Sequence, residues 1–136
     1  MNFKFLHSNI YVLDLEKSID FYNKALGLKE VDRLDTPEFT LVYMGDDETT
    51  HQLELSWIKG QKEAYNLGDN TFHIAFEVDD YEKAHELHEK NWVAFAMKIK
   101  KMGIYFINDP DGNWMEVFLK EDFNLMGENR LIYTKY

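Results

Sequence analysis

The 136-residue sequence contains no cysteine. Disulfide bonds, thiolate metal ligands and cysteine nucleophiles are therefore all excluded. Cations are also few, since 15 Lys and Arg residues stand against 25 Asp and Glu residues, and the formal net charge is −10. This balance argues against binding to a nucleic-acid backbone or to an anionic membrane surface, because both partners require clustered positive charge.

Long apolar runs are absent too, and no stretch approaches the roughly 18 apolar residues of a membrane span. The first residues, MNFKFLHSNIYVLDLEKS, contain neither a long apolar core nor a small-residue cleavage site, so no signal peptide is predicted. Apolar residues make up 45% and charged residues 29% of the chain, which is typical of a globular protein. We therefore expect residues 1–136 to form one acidic, soluble, cytoplasmic domain.

The chain contains two copies of one pattern. The segment HSNIYVLDLEKSIDF, beginning at His7, aligns with HIAFEVDDYEKAHEL, beginning at His73. In each copy a run of alternating apolar residues leads to an aspartate, Asp14 or Asp80, and then to a helical pattern. Since aspartate is a favoured helix N-cap, each copy is predicted to run from a strand into a helix.

Three strand-like runs follow each predicted helix, which makes two βαβββ modules and an α+β fold. The helices are predicted over 15–26, ending at Gly27, and over 81–90, with Tyr81, Ala84, Leu87 and His88 turned inward. The later strands are predicted over 28–34, 39–44, 52–58, 93–99, 103–107 and 114–119. Repeat one covers about 3–58 and repeat two about 70–120. Because one module leaves a bare sheet face, we expect the modules to cover each other or a second copy.

Each module begins with a histidine and closes with a glutamate: His7 and Glu54 in the first, His73 and Glu116 in the second. Both glutamates interrupt apolar strands, so alternation places them opposite their apolar neighbours, where an unpaired carboxylate is costly. Taken singly, such residues are more commonly structural. Four at matched positions of two repeats instead predict a divalent-metal site, in which two carboxylates cancel the ion's charge and an octahedral ion keeps two positions for water or substrate.

Several motifs resemble those of the short bacterial glyoxalase I enzymes, in the vicinal-oxygen-chelate or glyoxalase–bleomycin resistance superfamily. They are HSNI at 7–10, DLEKSIDFY at 14–22, ALGL at 25–28, LEL at 53–55, FHIAFEV at 72–78 and FINDPDGNWMEV at 106–117. The likeness covers nearly the whole chain up to Lys120.

The resemblance implies a homodimer in which His7 and Glu54 of one chain share a metal ion with His73 and Glu116 of the other. It implies a lactoylglutathione lyase, which detoxifies methylglyoxal by isomerising its hemithioacetal with glutathione to S-lactoylglutathione through an enediolate. Nickel or cobalt is the metal expected of short bacterial members, with zinc as another possibility. By the same resemblance Glu116 is the main proton shuttle and Glu54 flanks the opposite side of the substrate.

The chain departs from the family pattern at three places. Tyr11 and Asp69 stand where arginines that meet the glutathione carboxylates are common, and Trp57-Ile58 replaces an expected asparagine. Three lysines could compensate or could simply protect an edge strand: Lys98, Lys100 and Lys101. The identity of the thiol cosubstrate therefore stays open.

Two further groups of residues have candidate roles. His85 and His88 lie three residues apart on the second helix and are interpreted as part of a solvated face, not as a second metal site. Phe39, Trp57 and Met102 are a hypothetical apolar pocket for the side chain of the aldehyde.

Other functions of the same superfamily remain as alternatives. A coenzyme A epimerase also removes a proton beside a carbonyl. Thiol transferases and extradiol dioxygenases of this fold generally use three protein ligands, which the carboxylate of Glu54 argues against. A drug-sequestering protein of the bleomycin-resistance type is the non-catalytic alternative, and it would need no metal.

Overall fold

The structure is a computed structural model that describes residues 1–91, 95–99 and 103–120, with the backbone alone for 95–99. The chain divides into two compact units, residues 1–68 and the residues from 69 onward. Each unit has the order βαβββ and contains one four-stranded sheet, which confirms the predicted α+β fold of two modules. Neither described helix is long and apolar enough to cross a membrane.

The first module places its first and last strands side by side. Its elements are β1 (His7–Tyr11), α1 (Leu15–Leu26), β2 (Lys29–Asp35), β3 (Phe39–Gly45) and β4 (Gln52–Ile58). The sheet order is β1-β4-β3-β2, with β1 parallel to β4 and the other pairs antiparallel. The predicted caps of α1 are confirmed: the Asp14 carboxylate accepts a hydrogen bond from the Lys17 backbone N–H at 3.1 Å, and Gly27 is left-handed with φ of 68°.

Alternation along the strands gives the first sheet two different faces. The helix face carries the apolar core, which consists of Ile10, Val42, Met44, Leu53 and Leu55 from the sheet, with Leu15, Ser18, Tyr22 and Ala25 from α1. All of these residues are buried. The intervening strand residues point to the other side, which we call the ligand face.

The second module repeats this arrangement. Its elements are β5 (His73–Val78), α2 (Tyr81–Lys90), β6 (Phe95–Ile99), β7 (Ile104–Asn108) and β8 (Trp114–Leu119), in the sheet order β5-β8-β7-β6. A tight turn precedes β8, in which the Gly112 N–H donates to the Asp109 carbonyl at 3.0 Å. The buried Asp109 carboxylate also accepts the Asn113 N–H at 2.8 Å, which fixes where β8 begins.

The prediction that His88 turns inward is confirmed, whereas the interpretation of His85 and His88 as part of a solvated face is wrong. His88 is 2% exposed, and its Nδ1 lies 2.8 Å from the Tyr105 hydroxyl of β7. His85 packs edge-on against the same tyrosine ring at 5.2 Å, whereas Leu87, predicted to turn inward, is 43% exposed. Tyr105 supplies a polar partner from another element, so burial of the imidazole costs little. The sequence of α2 alone does not reveal that partner.

We expect Tyr105→Phe to lower the free energy of unfolding by about 1–3 kcal/mol, because His88 loses a buried hydrogen-bond partner. Urea unfolding of the two proteins measures the difference. Tyr81→Phe is the matched control, since the Tyr81 hydroxyl is buried with no hydrogen-bond partner among the described residues. Its removal should leave stability unchanged or slightly higher, and equal effects of both substitutions would contradict the assignment.

Candidate metal centre

The first predicted pair lies on neighbouring strands of the first sheet. In the parallel register of β1 and β4, Asn9 is opposite Glu54 and His7 is opposite Gln52, so His7 and Glu54 share the ligand face. The Nε2 atom of His7 lies 3.6 Å from Oε2 of Glu54. The glutamate side chain is 12% exposed and the histidine side chain 30%, so a solvent-accessible imidazole stands beside a mostly buried carboxylate.

Neutral polar side chains on the two adjoining strands face the Glu54 carboxylate. The Asn9 Nδ2 donates to Glu54 Oε1 at 2.8 Å and to Ser56 Oγ at 2.6 Å. Tyr43 lies opposite Glu54 on β3. Interaction of the Tyr43 hydroxyl with this carboxylate raises the pKa of Tyr43, because ionisation would weaken that interaction and place a second negative charge beside Glu54. The Asn9 amide thus holds one oxygen of the carboxylate, and His7 and Tyr43 lie beside it.

The second pair has the same placement but apolar surroundings. His73 begins β5 and Glu116 lies on the adjacent β8, with His73 Nε2 3.0 Å from Glu116 Oε2. Glu116 is 16% exposed and His73 45%. The residues opposite Glu116 in the two neighbouring strands are Ala75 and Phe106, neither of which has a hydrogen-bonding side chain. The Phe106 ring instead packs edge-on against His73 at 5.6 Å.

The donor atoms of both pairs fit a divalent ion. Imidazole nitrogen and carboxylate oxygen are the ligands that nickel, cobalt and zinc take in proteins. Two such donors bound at about 2.1 Å to one ion lie roughly 3.0–3.4 Å apart at octahedral or tetrahedral angles. The observed separations of 3.0 and 3.6 Å are close to that range.

Each pair supplies two donors and is incomplete alone. Among the described residues, no group of three or more His, Asp and Glu side chains is close enough together to hold a metal ion. The four predicted ligands therefore occur as two His–Glu pairs, one on the ligand face of each module, and we call these pairs the candidate half-sites.

The predicted aldehyde pocket is only partly supported. Phe39 lies on the ligand face, in register with Ile58. Trp57 does not, because it is paired with Thr40 on the helix face and lines a shallow depression with Leu15 and Lys59. A one-residue step along a strand changes the face, which is why Trp57 was misplaced.

The structure gives the positions of the two residues that replace common arginines, but not those of the compensating lysine side chains. Tyr11 lies on the ligand face, 5.4 Å from the ring of Tyr65. Asp69 is exposed. Lys100, Lys101 and Met102 and the Lys98 side chain fall outside the described residues.

The sequence reasoning missed the donors around Glu54. Asn9 is two residues from His7, so strand alternation alone could have placed it on the ligand face. Tyr43 comes from a different strand, and its position opposite Glu54 follows from the register of β3 with β4.

Comparison with known proteins identifies the family. The pattern of the glyoxalase/bleomycin resistance protein/dioxygenase superfamily matches residues 4–117. A lactoylglutathione lyase of Neisseria meningitidis serogroup A is 40% identical over 87% of this chain and 91% of its own length. One from Escherichia coli O157:H7 is 34% identical over 88% of this chain and 94% of its own length.

A solved structure supports the same family assignment as these two sequences. The trypanothione-dependent glyoxalase I of Leishmania major has a TM-score of 0.85 and 28% identity, covering 98% of each chain. These relatives confirm the predicted lyase class and the resemblance to glyoxalase I. The chain, with its twice-repeated His–Glu pair on βαβββ modules, belongs to the glyoxalase/bleomycin resistance protein/dioxygenase superfamily and, within it, to the lactoylglutathione lyases.

Proposed function

We propose that this protein isomerises the hemithioacetal of methylglyoxal and a thiol to the S-lactoyl thioester. The observation that carries the proposal is the pairing of His Nε2 with Glu Oε2 at matched positions of two modules, at 3.6 and 3.0 Å. A merely structural pair would not need to recur on the same face of both sheets. The lactoylglutathione lyases of Neisseria and Escherichia support the same reaction.

The residues that would hold the divalent ion are His7, Glu54, His73 and Glu116. When bound, the ion acts as a Lewis acid that stabilises negative charge developing on the substrate oxygens. Nickel or cobalt is the proposed metal and zinc the alternative. We further propose that a homodimer completes the site, with the first-module pair of one chain facing the second-module pair of its partner.

The reaction moves one proton between neighbouring carbons. In our proposal the Glu116 carboxylate takes the proton from C1 of the hemithioacetal, and the electrons of the C–H bond form the C1–C2 double bond of an enediolate. Glu116 then returns the proton to C2, while the hydroxyl proton passes from the oxygen on C1 to the oxygen on C2. Substrate and product are isomers, so no oxidant or reductant is consumed. A carboxylate can act as base and then as acid at the same place.

The surroundings of the two glutamates favour Glu116 for this role. Glu54 accepts a hydrogen bond from Asn9 and lies opposite Tyr43, whereas Glu116 lies among Ala75, Phe106 and His73. A carboxylate that must gain and lose a proton is better served by few competing donors. Glu54 is then mainly a metal ligand, and it flanks the opposite side of the substrate.

The thiol is proposed to be glutathione, as in the relatives named for lactoylglutathione. The Leishmania relative depends on trypanothione, so relatives of this fold differ in the thiol they take. Tyr11 and Asp69 stand at positions where arginines are common, so the assay compares glutathione directly with trypanothione.

We expect the metal-free protein to be inactive and nickel or cobalt to restore turnover, because the ion supplies most of the stabilisation of negative charge. The measurement follows the ultraviolet absorbance of the thioester product, with methylglyoxal and either glutathione or trypanothione, after separate loading with nickel, cobalt and zinc. Activity with trypanothione alone would reject glutathione but keep the reaction. A protein that binds none of the three metals would contradict the proposed function and favour drug binding.

A further inference from the structure

The two half-sites differ in one respect that the repeat does not require. Asn9 and Tyr43 face Glu54 from the two adjoining strands, and we call these two residues the Glu54 clamp. Ala75 and Phe106 occupy the corresponding positions around Glu116. Among the described residues, the first carboxylate therefore has an amide and a phenol hydroxyl at the two adjoining positions where the second has a methyl group and a phenyl ring.

The clamp is itself held in place. Both N–H bonds of the Asn9 amide have acceptors, because Nδ2 donates to Glu54 Oε1 at 2.8 Å and to Ser56 Oγ at 2.6 Å. The Tyr43 ring packs edge-on against His7 at 5.7 Å, which limits the directions its hydroxyl can take. Oε1 of Glu54 is taken by Asn9, and Oε2 is the oxygen that faces His7.

We propose that Asn9 and Tyr43 are positioning residues that make the two glutamates unequal. They hold Glu54 as a stationary metal ligand, while the unclamped Glu116 is free to leave its resting position and carry the proton. This inference rests on the proposed metal site and reaction. It adds that the residues beside each carboxylate, and not the carboxylates themselves, determine which glutamate is the stationary metal ligand and which carries the proton.

The test exchanges the two environments. Asn9→Ala with Tyr43→Phe gives Glu54 the neighbours that Glu116 has, and Ala75→Asn with Phe106→Tyr gives Glu116 the neighbours that Glu54 has. Metal affinity is measured by competition with a chromophoric chelator, and kcat and KM are measured on metal-saturated protein. Residues that orient metal ligands typically contribute 10–100-fold to metal affinity or activity.

We expect the unclamped variant to bind nickel or cobalt about 10–100-fold more weakly, with a smaller loss of kcat once it is saturated. The absorption spectrum of its cobalt form should also change, because Glu54 would no longer be fixed. The variant with a second clamp should retain metal but lose roughly tenfold or more in kcat, since Glu116 is then restrained. Tyr43→Phe alone removes a single hydroxyl and keeps the test valid if the double variant folds poorly.

Tyr81→Phe is the control, because it removes a tyrosine hydroxyl on α2 that contacts neither carboxylate. It should change neither metal affinity nor kcat. Unchanged metal affinity in the unclamped variant, or undiminished kcat in the doubly clamped one, would overturn the inference while leaving the proposed function intact. Failure of the unmodified protein to bind metal or to turn over would reject the proposed function itself.

Discussion

Glu116→Gln should lower kcat by about 10²–10⁴-fold, because an amide cannot accept and return the proton that the reaction moves. Glutamine keeps the shape of the side chain and an oxygen that can face the ion. Metal should therefore remain at least partly bound, through His73 and the first-module pair. Elemental analysis of the purified variant and a steady-state assay at saturating metal separate the two effects.

A matched carboxylate-to-amide change provides the control. Glu48 is exposed in the loop after β3, and Glu48→Gln should leave both kcat and metal content unchanged. Glu54→Gln is the informative contrast, since its main effect should be on metal affinity. If Glu116→Gln keeps full turnover, Glu116 is not the proton shuttle.

A mixed dimer of two inactive chains should recover activity. One chain carries His7→Ala and Glu54→Ala, and the other carries His73→Ala and Glu116→Ala. If each site takes one pair from each chain, the mixed dimer has one complete site and one with no ligand. Isolated through two different affinity tags, it should show about half the activity of the unmodified dimer.

The two parent proteins serve as controls, since neither can form a complete site in a dimer with itself. Sedimentation of the unmodified chain establishes whether a dimer exists at assay concentrations. An inactive mixed dimer, alongside an active unmodified one, would show that each chain uses its own two pairs. A monomer that is fully active would exclude sharing between chains.

Sequence patterns among neighbouring residues predicted the helices and strands well. Asp14 and Asp80 cap the helices as predicted, and the strands over 52–58 and 114–119 have the predicted bounds. These features depend on near neighbours in the chain, because a cap needs only the N–H groups of the next turn and a strand needs only alternation. The same alternation placed both glutamates opposite their buried neighbours, as the structure shows.

The errors arose where a residue's surroundings come from another strand or helix. His88 was assigned both to the inward side of α2 and to a solvated face, because its partner Tyr105 lies on β7, seventeen positions further along the chain. Trp57 was placed in a substrate pocket although its register partner, Thr40, puts it beneath the helix. The residue type alone did not predict the environment of either side chain. The cost of burying His88 depends on the polar partner available, and the face on which Trp57 lies depends on strand register.

By itself, the sequence determined the two βαβββ modules and the family. Repeated motifs, helix caps and apolar alternation can all be recognised along the chain without knowledge of the tertiary structure. The sequence also marked His7, Glu54, His73 and Glu116 as four matched positions. The tertiary structure alone decided that Asn9 and Tyr43 lie beside one glutamate while Ala75 and Phe106 lie beside the other. Strand register makes that difference, because it brings side chains that are distant along the chain to within hydrogen-bond distance of one carboxylate.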